Sequence, residues 1–556
     1  MSARPLRRLA AALAAAAAIA LAGCVGIPTS GPVIAGPAVD EVDPEFVVTP
    51  NGPSAGMSPQ DILGGFMQAV RAPQSDYQVA RSFLTPELAA TWDPDAGVLV
   101  RTDAAQLVVR GDEAAPVIDY AFSSNATVDA TGHYVEAQTA SARSLEFAFA
   151  QVDGQWRISA AADGIVLSAA SFPRSFTSYA LYYFDPSGRY LVPDVRWFPS
   201  RQSTPNLVVA ALLAGPDEWL RRAVVSDFPA GTVLGPRSVV ISAGTATVDL
   251  SAQASNATPE QLDRMRQQLV ATLDVADARI SADGVPLSVG QSTIQATIDP
   301  QPAGAVLVGT GTEFGYGSPN GVTPIPGISP AIVGDGATAA VVAHDQLSAS
   351  YLAADGTVRH VVVPDAAVVV DQRPGLVAPA LDGYGWTWSG GAGAPLEAFD
   401  PSGAAAGITA GGIPADATIT GLAVSRDSTR LLVALAGGSG PRLLAFGIVR
   451  SGGAPTGLDQ PIELAAPDGA LVGVSWVDDR SAVVVADAGG SRSVRVVAIG
   501  APGEDLAALS TGATAVGGRG GSTGIRALAD GEVLAPSGTG DWTDAGFAAT
   551  FLGVQQ

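Results

Sequence analysis

From about residue 305 to residue 556, short apolar runs alternate with turns rich in Gly, Asp and Pro, and no segment has the 3.6-residue periodicity of a helix. Two stretches, 419–434 and 471–486, share the pattern of a strand, a polar turn and a second strand. Their separation matches one propeller blade, for which roughly 40–50 residues is usual. Residues 305–556 therefore predict an all-β domain, a propeller of about six blades, with a pair of packed sheets as the alternative.

Residues 57–168 predict an α+β domain. Ser58-Pro59-Gln60-Asp61 has the residue types of a helix N-cap, a first-turn proline and a capping carboxylate, and a second helix is expected to extend to Trp92. Strands are expected at Val98–Val109, Val117–Phe122, Ala126–Ala137, Leu145–Gln151 and Gln155–Ala160. Asp153-Gly154 is typical of a tight hairpin. Helices followed by an antiparallel meander resemble an NTF2-like cone, which would hold either a ligand pocket or a filled core.

Residues 172–298 predict a second α+β domain. Asp185-Pro186-Ser187-Gly188 is a turn between two aromatic-rich strands, and a helix over Asn206–Ala214 is expected to end at Gly215-Pro216. Thr258-Pro259-Glu260-Gln261 is a capping box that predicts another helix start. The remaining strands are expected at Thr232–Ile241, Thr245–Leu250, Ala278–Ile280 and Pro286–Val289.

Three motifs of this second domain occur in a fixed order. They are Leu212-Leu213-Ala214-Gly215-Pro216, Phe228-Pro229-Ala230-Gly231-Thr232 and Thr247-Val248-Asp249-Leu250-Ser251. The order of a helix ending in Gly-Pro, a Pro-Xaa-Gly-Thr turn and a Val-Asp-Leu-Ser strand resembles a GerMN domain. The resemblance implies a GerMN-like fold for residues 172–298.

The first residues of the chain are organised around its single cysteine, Cys24. Three arginines precede an apolar run, Leu9–Ala22, which is too short to span a bilayer and is typical of a signal peptide. Leu21-Ala22-Gly23-Cys24 resembles a bacterial lipobox, which implies cleavage after Gly23 and lipidation of the Cys24 sulfur. We therefore expect a lipoprotein signal peptide over 1–23 and a Pro/Gly-rich tether over 24–56. The alternative is an ordinary secretory peptide with a chance cysteine.

The composition limits the possible partners. A net charge of −23 argues against nucleic acid and against binding to anionic lipid by charge. With one cysteine in the chain, we expect no internal disulfide and no thiolate metal site. No later segment reaches eighteen apolar residues without a polar break, so no second membrane span is expected. In so acidic a chain, carboxylate pairs such as Asp478-Asp479 are interpreted as solvated turns.

No catalytic, metal or cofactor site is expected. The three histidines, His133, His344 and His360, have neither metal-ligand spacing nor a His-Glu-Xaa-Xaa-His arrangement. Two Gly-Xaa-Ser-Xaa-Gly strings, 52–56 and 520–524, lie in a Pro-rich linker and a Gly-rich loop. A nucleophile elbow needs a strand, a turn and a helix, with a histidine later in the chain. The prediction is a protein that is not an enzyme.

The whole order is the lipobox, the sequence Cys24-Val25-Gly26-Ile27-Pro28-Thr29-Ser30-Gly31-Pro32, an NTF2-like module, a GerMN-like module and a β-rich region. This order resembles the actinobacterial LpqB lipoprotein family over essentially the full chain. The resemblance implies a multidomain fold, α+β in its N-terminal half and a β-propeller in its C-terminal half. It also implies lipid anchoring to the cell membrane on the extracytoplasmic face.

The same resemblance implies a partner. In that family the lipoprotein contacts the sensor part of the histidine kinase MtrB and modulates the MtrA/MtrB two-component system, which affects cell-wall homeostasis and division. The alternative function is binding of a cell-wall fragment or a lipid by the NTF2-like or GerMN-like domain.

Overall fold

The computed structural model describes residues 50–556, apart from 112–114, 291–294, 303, 305, 439 and 539–540. The part from Pro50 to Gln556 forms one compact unit. Its sheets divide it into three successive modules, which we call the N-terminal module, the middle module and the propeller.

The N-terminal module packs short helices on a six-stranded sheet of order β5-β4-β3-β1-β6, with β2 added beside β3. Its elements are α1 (Pro59–Ala69), α2 (Gln78–Arg81), α3 (Pro86–Thr91), β1 (Gly97–Arg101), β2 (Gln106–Gly111), β3 (Pro116–Asp129), β4 (Tyr134–Val152), β5 (Gln155–Ala160) and β6 (Ile165–Ser168). Alternate residues of β3 are buried, as expected for a strand with one face on a core. In that core Phe66 meets Trp92 edge to face, with ring centroids 5.3 Å apart.

Two local predictions in this module are confirmed. The Ser58 side chain accepts a hydrogen bond from the Asp61 backbone N–H, and the Asp61 carboxylate accepts one from the Ser58 backbone N–H, which together start α1. Asp153 and Gly154 join β4 to β5 in a two-residue hairpin with φ of 51° and 73°. Both positive φ values are those of a type I′ turn.

The predicted helix reaching Trp92 is wrong as a continuous element. Leu84 forms a parallel bridge with Ile158, and Thr85 then caps α3. Pro86 has no N–H to continue an earlier helix, but it suits the first turn of a new one. The predicted strand Val98–Val109 is likewise split into β1 and β2.

The middle module has two small sheets, β12-β11-β10-β9 and β13-β8-β7. Its elements are α4 (Phe172–Ser175), β7 (Phe176–Phe184), β8 (Tyr190–Pro199), α5 (Thr204–Ala214), β9 (Val240–Ser242), β10 (Thr245–Leu250), α6 (Pro259–Leu273), β11 (Asp277–Ala282), β12 (Val285–Pro286) and β13 (Thr297–Ile298). Helix α6 packs against both β7 and β11, and its Met265 and Leu269 are fully buried. The predicted capping box is present, because the Thr258 side chain accepts from the Gln261 N–H. The predicted strand Thr232–Ile241 is wrong over most of its length, because only its last residues form a strand, β9.

The propeller consists almost wholly of strands. Its elements are β14 (Leu307–Gly309), β15 (Phe314–Ser318), β16 (Gly321–Pro324), α7 (Ile328–Gly334), β17 (Ala339–Val342), β18 (Ser348–Leu352), β19 (Val358–Val362), β20 (Val368–Asp371), β21 (Ala380–Leu381), β22 (Thr387–Gly391), β23 (Ala394–Phe399), β24 (Thr418–Val424), β25 (Arg430–Ala436), β26 (Arg442–Ser451), β27 (Ala454–Leu458), β28 (Ile462–Leu464), β29 (Ala470–Trp476), β30 (Ser481–Asp487), β31 (Arg492–Ala498), β32 (Glu504–Leu509), β33 (Thr514–Val516), β34 (Arg526–Ala529), β35 (Glu532–Pro536), β36 (Trp542–Ala548) and β37 (Phe551–Gln555).

Within the described residues these strands form five successive sheets, and β37 closes the ring by joining the first of them. It pairs antiparallel with β14 and parallel with β17, so the last strand of the propeller completes the blade that the first strand begins. The predicted fold class, α+β followed by a β-propeller, is confirmed. The prediction that this region has no helix is wrong, because α7 buries Ile328 and Ile332 one turn apart. The boundaries assigned from sequence to the individual domains stay predictions.

Candidate functional site

The N-terminal and middle modules meet where the turn between β3 and β4 lies on β8. The Trp197 backbone N–H donates to the Gly132 carbonyl at 2.8 Å. Gly132 has a φ of 89°, and a Cβ there would lie 2.7 Å from the Trp197 carbonyl oxygen, so only glycine fits. Behind this contact Arg196 forms a buried ion pair with Asp194 at 2.7 Å and donates to the Thr131 carbonyl. The two modules are joined by this backbone contact and by side chains, since Arg201 pairs with Asp95 at 2.7 Å and the Tyr134 ring packs on Phe172.

The propeller contacts both modules at the same place. The Trp197 indole N–H donates to the Gly500 carbonyl at 2.8 Å. Glu136, on β4, pairs with Arg495 of the propeller at 2.9 Å and also accepts from the Gly503 N–H. These contacts define a junction at which three modules meet.

A cavity of about 250 Å³ lies at this junction, and we call it the junction cavity. The charged and polar residues that line it are His133, Glu136, Asp194, Asp217 and Glu463. The residues of its apolar wall are Tyr134, Val195, Trp219, Ile462, Leu464, Val497 and Ile499. All three modules contribute to it, so its shape depends on how they are joined.

The histidines singled out in the sequence do not come together in the structure. His133 lies at the junction cavity, with its side chain 19% exposed. His344 is exposed in the turn between β17 and β18. His360 is buried in the propeller, where it is hydrogen-bonded to Ser350 and Thr387, and burial lowers the pKa of its imidazole to about 4. His360 is therefore neutral at physiological pH and forms part of the blade core.

The interpretation of Asp478-Asp479 as a solvated turn is wrong for Asp479. Asp479 is only 6% exposed, and the hydroxyl of Tyr182 in the middle module donates a hydrogen bond to the Asp479 carboxylate at 3.4 Å. Burial raises the pKa of Asp479 above its ordinary value. Sequence reasoning missed this because the burial comes from a module almost 300 residues earlier in the chain.

A second carboxylate faces Asp479 at this contact. Burial, followed by the negative charges of Asp479 and Asp478, raises the pKa of Asp299 to about 6. One carboxylate oxygen of Asp299 accepts from the Gln301 amide at 2.6 Å, whereas the other is buried without a hydrogen-bond partner. Arg426, Arg430 and Arg480 partly offset the negative charge of these carboxylates, but burial still leaves the pKa of both Asp299 and Asp479 raised.

The N-terminal module has its own cavity, of about 240 Å³. Phe66, Met67, Leu99 and Leu145 form much of its apolar lining, and Asp163 is its single ionisable lining residue. The core of this module is therefore not completely filled.

The same module exposes an apolar strand. Leu107, Val108 and Val109 of β2 are 44%, 51% and 50% exposed. Among the described residues β2 pairs with β3 alone, so its other edge offers free backbone N–H and C=O groups. An exposed apolar edge of this kind is a ready template for pairing with another chain.

The predicted lipobox, Leu21-Ala22-Gly23-Cys24, and most of the predicted tether lie outside the described residues. Within the part of the chain that the structure describes, no helix has the length and apolar character to cross a bilayer. Over those same residues, no three His, Cys, Asp or Glu side chains are grouped so that they could hold a metal ion.

Asp299 generates a prediction about pH. The pKa of the Asp299 carboxyl is about 6 in the folded protein and about 4 in the unfolded chain. The folded state therefore binds the proton more tightly, and the stability that this proton contributes at low pH is lost as pH rises through 6. Asp299→Asn should remove this loss and raise the thermal unfolding midpoint at pH 7 relative to wild type. Midpoints measured from pH 4.5 to 7.5 test it. Asp153→Asn, at an exposed position with a similar positive φ, is the matched control, and identical profiles for Asp299→Asn and wild type would contradict the assignment.

Three family models match the chain in succession. The model "Lipoprotein LpqB, N-terminal domain" matches residues 52–173, "Sporulation and spore germination" matches 180–288, and "Lipoprotein LpqB beta-propeller domain" matches 318–548.

Several curated relatives of the chain are named Lipoprotein LpqB. Lipoprotein LpqB of Cutibacterium acnes is 33% identical over 54% of this chain and 50% of the relative. That of Thermobifida fusca is 32% identical over 57% of this chain and 52% of the relative, and that of Bifidobacterium longum is 27% identical over 80% of each. The chain thus spans about half the length of the first two relatives it matches. Since the three models follow one another in a single order along most of the described residues, the chain belongs to the LpqB lipoprotein family.

Proposed function

We propose that the protein is a lipoprotein held on the extracytoplasmic face of the cell membrane, where it binds the sensor domain of an MtrB-like histidine kinase and modulates its signalling. Through that kinase it influences cell-wall homeostasis and division. The observation that carries the proposal is the order of the three modules, which is that of the LpqB family.

The exposed strand β2 supports a binding role and gives a candidate contact. Its outward edge can accept an extended segment of a partner by backbone pairing, and its apolar side chains can pack on alternate residues of that segment. Val108 lies opposite Asp119 of β3, on the face of the sheet where Arg110 pairs with Asp119. The kinase segment proposed to pair here is therefore one with apolar side chains toward Val108.

Kinase binding is tested by measuring affinity between the purified, lipid-free protein and the extracytoplasmic domain of the cognate kinase. The protein as a whole should bind, and Val108→Glu should weaken binding about tenfold, because it places an unpaired charge in a desolvated contact. Val285→Glu is the matched control, since Val285 is 64% exposed on the edge strand β12 of another sheet. If the folded wild type does not bind the kinase domain, direct contact is refuted. If the two variants weaken binding equally, β2 is not the strand that contacts the kinase.

Membrane attachment is tested at Cys24. Cys24→Ala removes the sulfur to which the lipid would be attached, so the protein should move from the membrane fraction to the soluble fraction while its circular dichroism spectrum stays unchanged. Stable retention needs more than one acyl chain, which a diacylglyceryl group supplies. A variant that remains in the membrane fraction would contradict anchoring through this residue.

The cavity of the N-terminal module favours a second candidate function, the binding of an apolar ligand such as a lipid chain. Its lining is apolar with one carboxylate, the usual character of a ligand pocket, although its volume of about 240 Å³ is below the common range of roughly 300–1,000 Å³. A short segment of an acyl chain fits this size better than a cell-wall glycan.

The ligand-binding candidate is tested by filling the cavity. Leu99→Trp adds volume to its lining and should abolish binding of a fluorescent fatty acid while leaving kinase affinity unchanged. Titration of the fatty acid into wild type and variant measures the effect. Absence of saturable binding by the wild type would reject this candidate without affecting the kinase proposal.

A further inference from the structure

His133 lies where the N-terminal and middle modules meet. It belongs to the turn between β3 and β4 in the N-terminal module, and its ring faces carboxylates of the middle module across the junction. The two ring nitrogens have different surroundings. Those surroundings determine where the ring can carry protons.

The Nδ1 side of the ring faces acceptors of its own turn. Nδ1 lies 2.8 Å from the Thr131 hydroxyl oxygen and 3.3 Å from an Asp129 carboxylate oxygen. The Thr131 hydroxyl already donates its proton to Asp129 at 2.6 Å, so its oxygen accepts from Nδ1. Although burial opposes ionisation, hydrogen bonds from His133 and Thr131 hold the pKa of Asp129 below its ordinary value. Nδ1 therefore carries a proton in either charge state of the ring.

The Nε2 side faces the middle module. Nε2 lies 3.4 Å from an Asp217 carboxylate oxygen and 3.9 Å from one of Asp194. It is buried and has no hydrogen-bond partner among the described residues. In the neutral ring, with its proton on Nδ1, the Nε2 lone pair points toward these negative oxygens and the contact is repulsive. In the charged ring, an Nε2–H donates toward Asp217 and the contact is attractive.

The other charged groups around the ring do not cancel this effect. They are Asp129 on its own turn, Asp194 and Arg196 on β8, Asp217 after α5, Glu136 on β4, and Arg495 and Glu463 on the propeller. Arg196 is paired with Asp194, Arg495 with Glu136, and Glu463 with Arg442, each within 3 Å. Asp129 in the N-terminal module and Asp217 in the middle module are the carboxylates nearest the ring, and Asp217 also interacts electrostatically with Arg196.

We propose that His133 is a proton-operated latch between the N-terminal and middle modules. Uptake of one proton from solvent at Nε2 adds an ion pair to Asp217 across the junction, and loss of that proton replaces it with a repulsive contact. Histidine is the side chain whose charge changes within the physiological pH range, so the latch responds to mild acid. Mild acid closes the junction and tightens the wall of the junction cavity, independently of any partner.

The first test is hydrogen–deuterium exchange of the full chain at pH 5.5 and pH 8.0, expressed as protection factors so that the intrinsic pH dependence of exchange is removed. Protection of residues 129–136 and 194–200 should fall about fivefold from the lower to the higher pH, the size expected of one partly exposed ion pair. His133→Gln should abolish this change. His344→Gln, at an exposed propeller turn, should keep it. Equal wild-type protection at the two pH values, or an unchanged pH response in His133→Gln, would overturn the latch.

The second test needs no variant and stands even where His133→Gln fails to fold. With the histidine rings labelled with ¹⁵N, the nitrogen shifts of His133 report which ring atom loses its proton as pH rises. The latch requires that Nε2 lose it, leaving the Nδ1–H tautomer above the transition. A neutral ring protonated at Nε2 would overturn the proposal.

Discussion

The pairing of β37 with β14 is the contact on which the propeller depends. The last strand joins the sheet that the first strand begins, and this pairing joins backbone about 240 residues apart. Without it the first and last blades would present open strand edges, which pair readily with other chains. The closed ring gives the middle module a fixed surface to contact, and that contact in turn places β8 beneath the turn between β3 and β4. The position of the N-terminal module therefore depends on β37 at the other end of the described chain, first through the propeller surface and then through β8.

The contacts between modules combine apolar packing with ion pairs, since a single buried apolar cluster contains residues of both the middle module and the propeller. Asp459 of the propeller, whose side chain is buried, pairs with Arg222 of the middle module at 2.6 Å, and Glu136 of the N-terminal module pairs with Arg495 of the propeller. Such buried pairs are weak contributors to stability, but breaking one leaves an uncompensated charge. They fix the orientation of the modules more than they strengthen their contact.

The sequence predicted the elements whose signals are local. The capping residues Ser58 and Thr258 and the Asp153-Gly154 hairpin act through neighbours within a few residues, so their outcome did not depend on the rest of the fold. The elements that failed depend on distant contacts. Leu84 leaves the helical pattern to pair with Ile158, and α7 is hidden in a Gly- and Pro-rich segment whose isoleucines are buried only in the assembled blade.

The same distinction applies to the site. Asp479 and His133 both lie in turns, where a single sequence indicates solvent exposure, and both are covered by another module. No signal in the sequence identifies the covering residues, since Tyr182 and Asp217 belong to segments with ordinary apolar or turn patterns. The free edge of β2 was equally hidden, because its residues were part of one longer predicted strand.

Trp197 has a consequence for how such a protein can change over time. Its backbone contacts the N-terminal module, its indole contacts the propeller, and its chain position is in the middle module. If one module were replaced by the corresponding module of a distant relative, the contacts of Trp197 would have to be kept. The new N-terminal module would need a glycine at the position of Gly132, and the new propeller would need a backbone carbonyl at the position of Gly500. The three modules, although separately recognisable, are therefore constrained to diverge together rather than to be shuffled as independent parts.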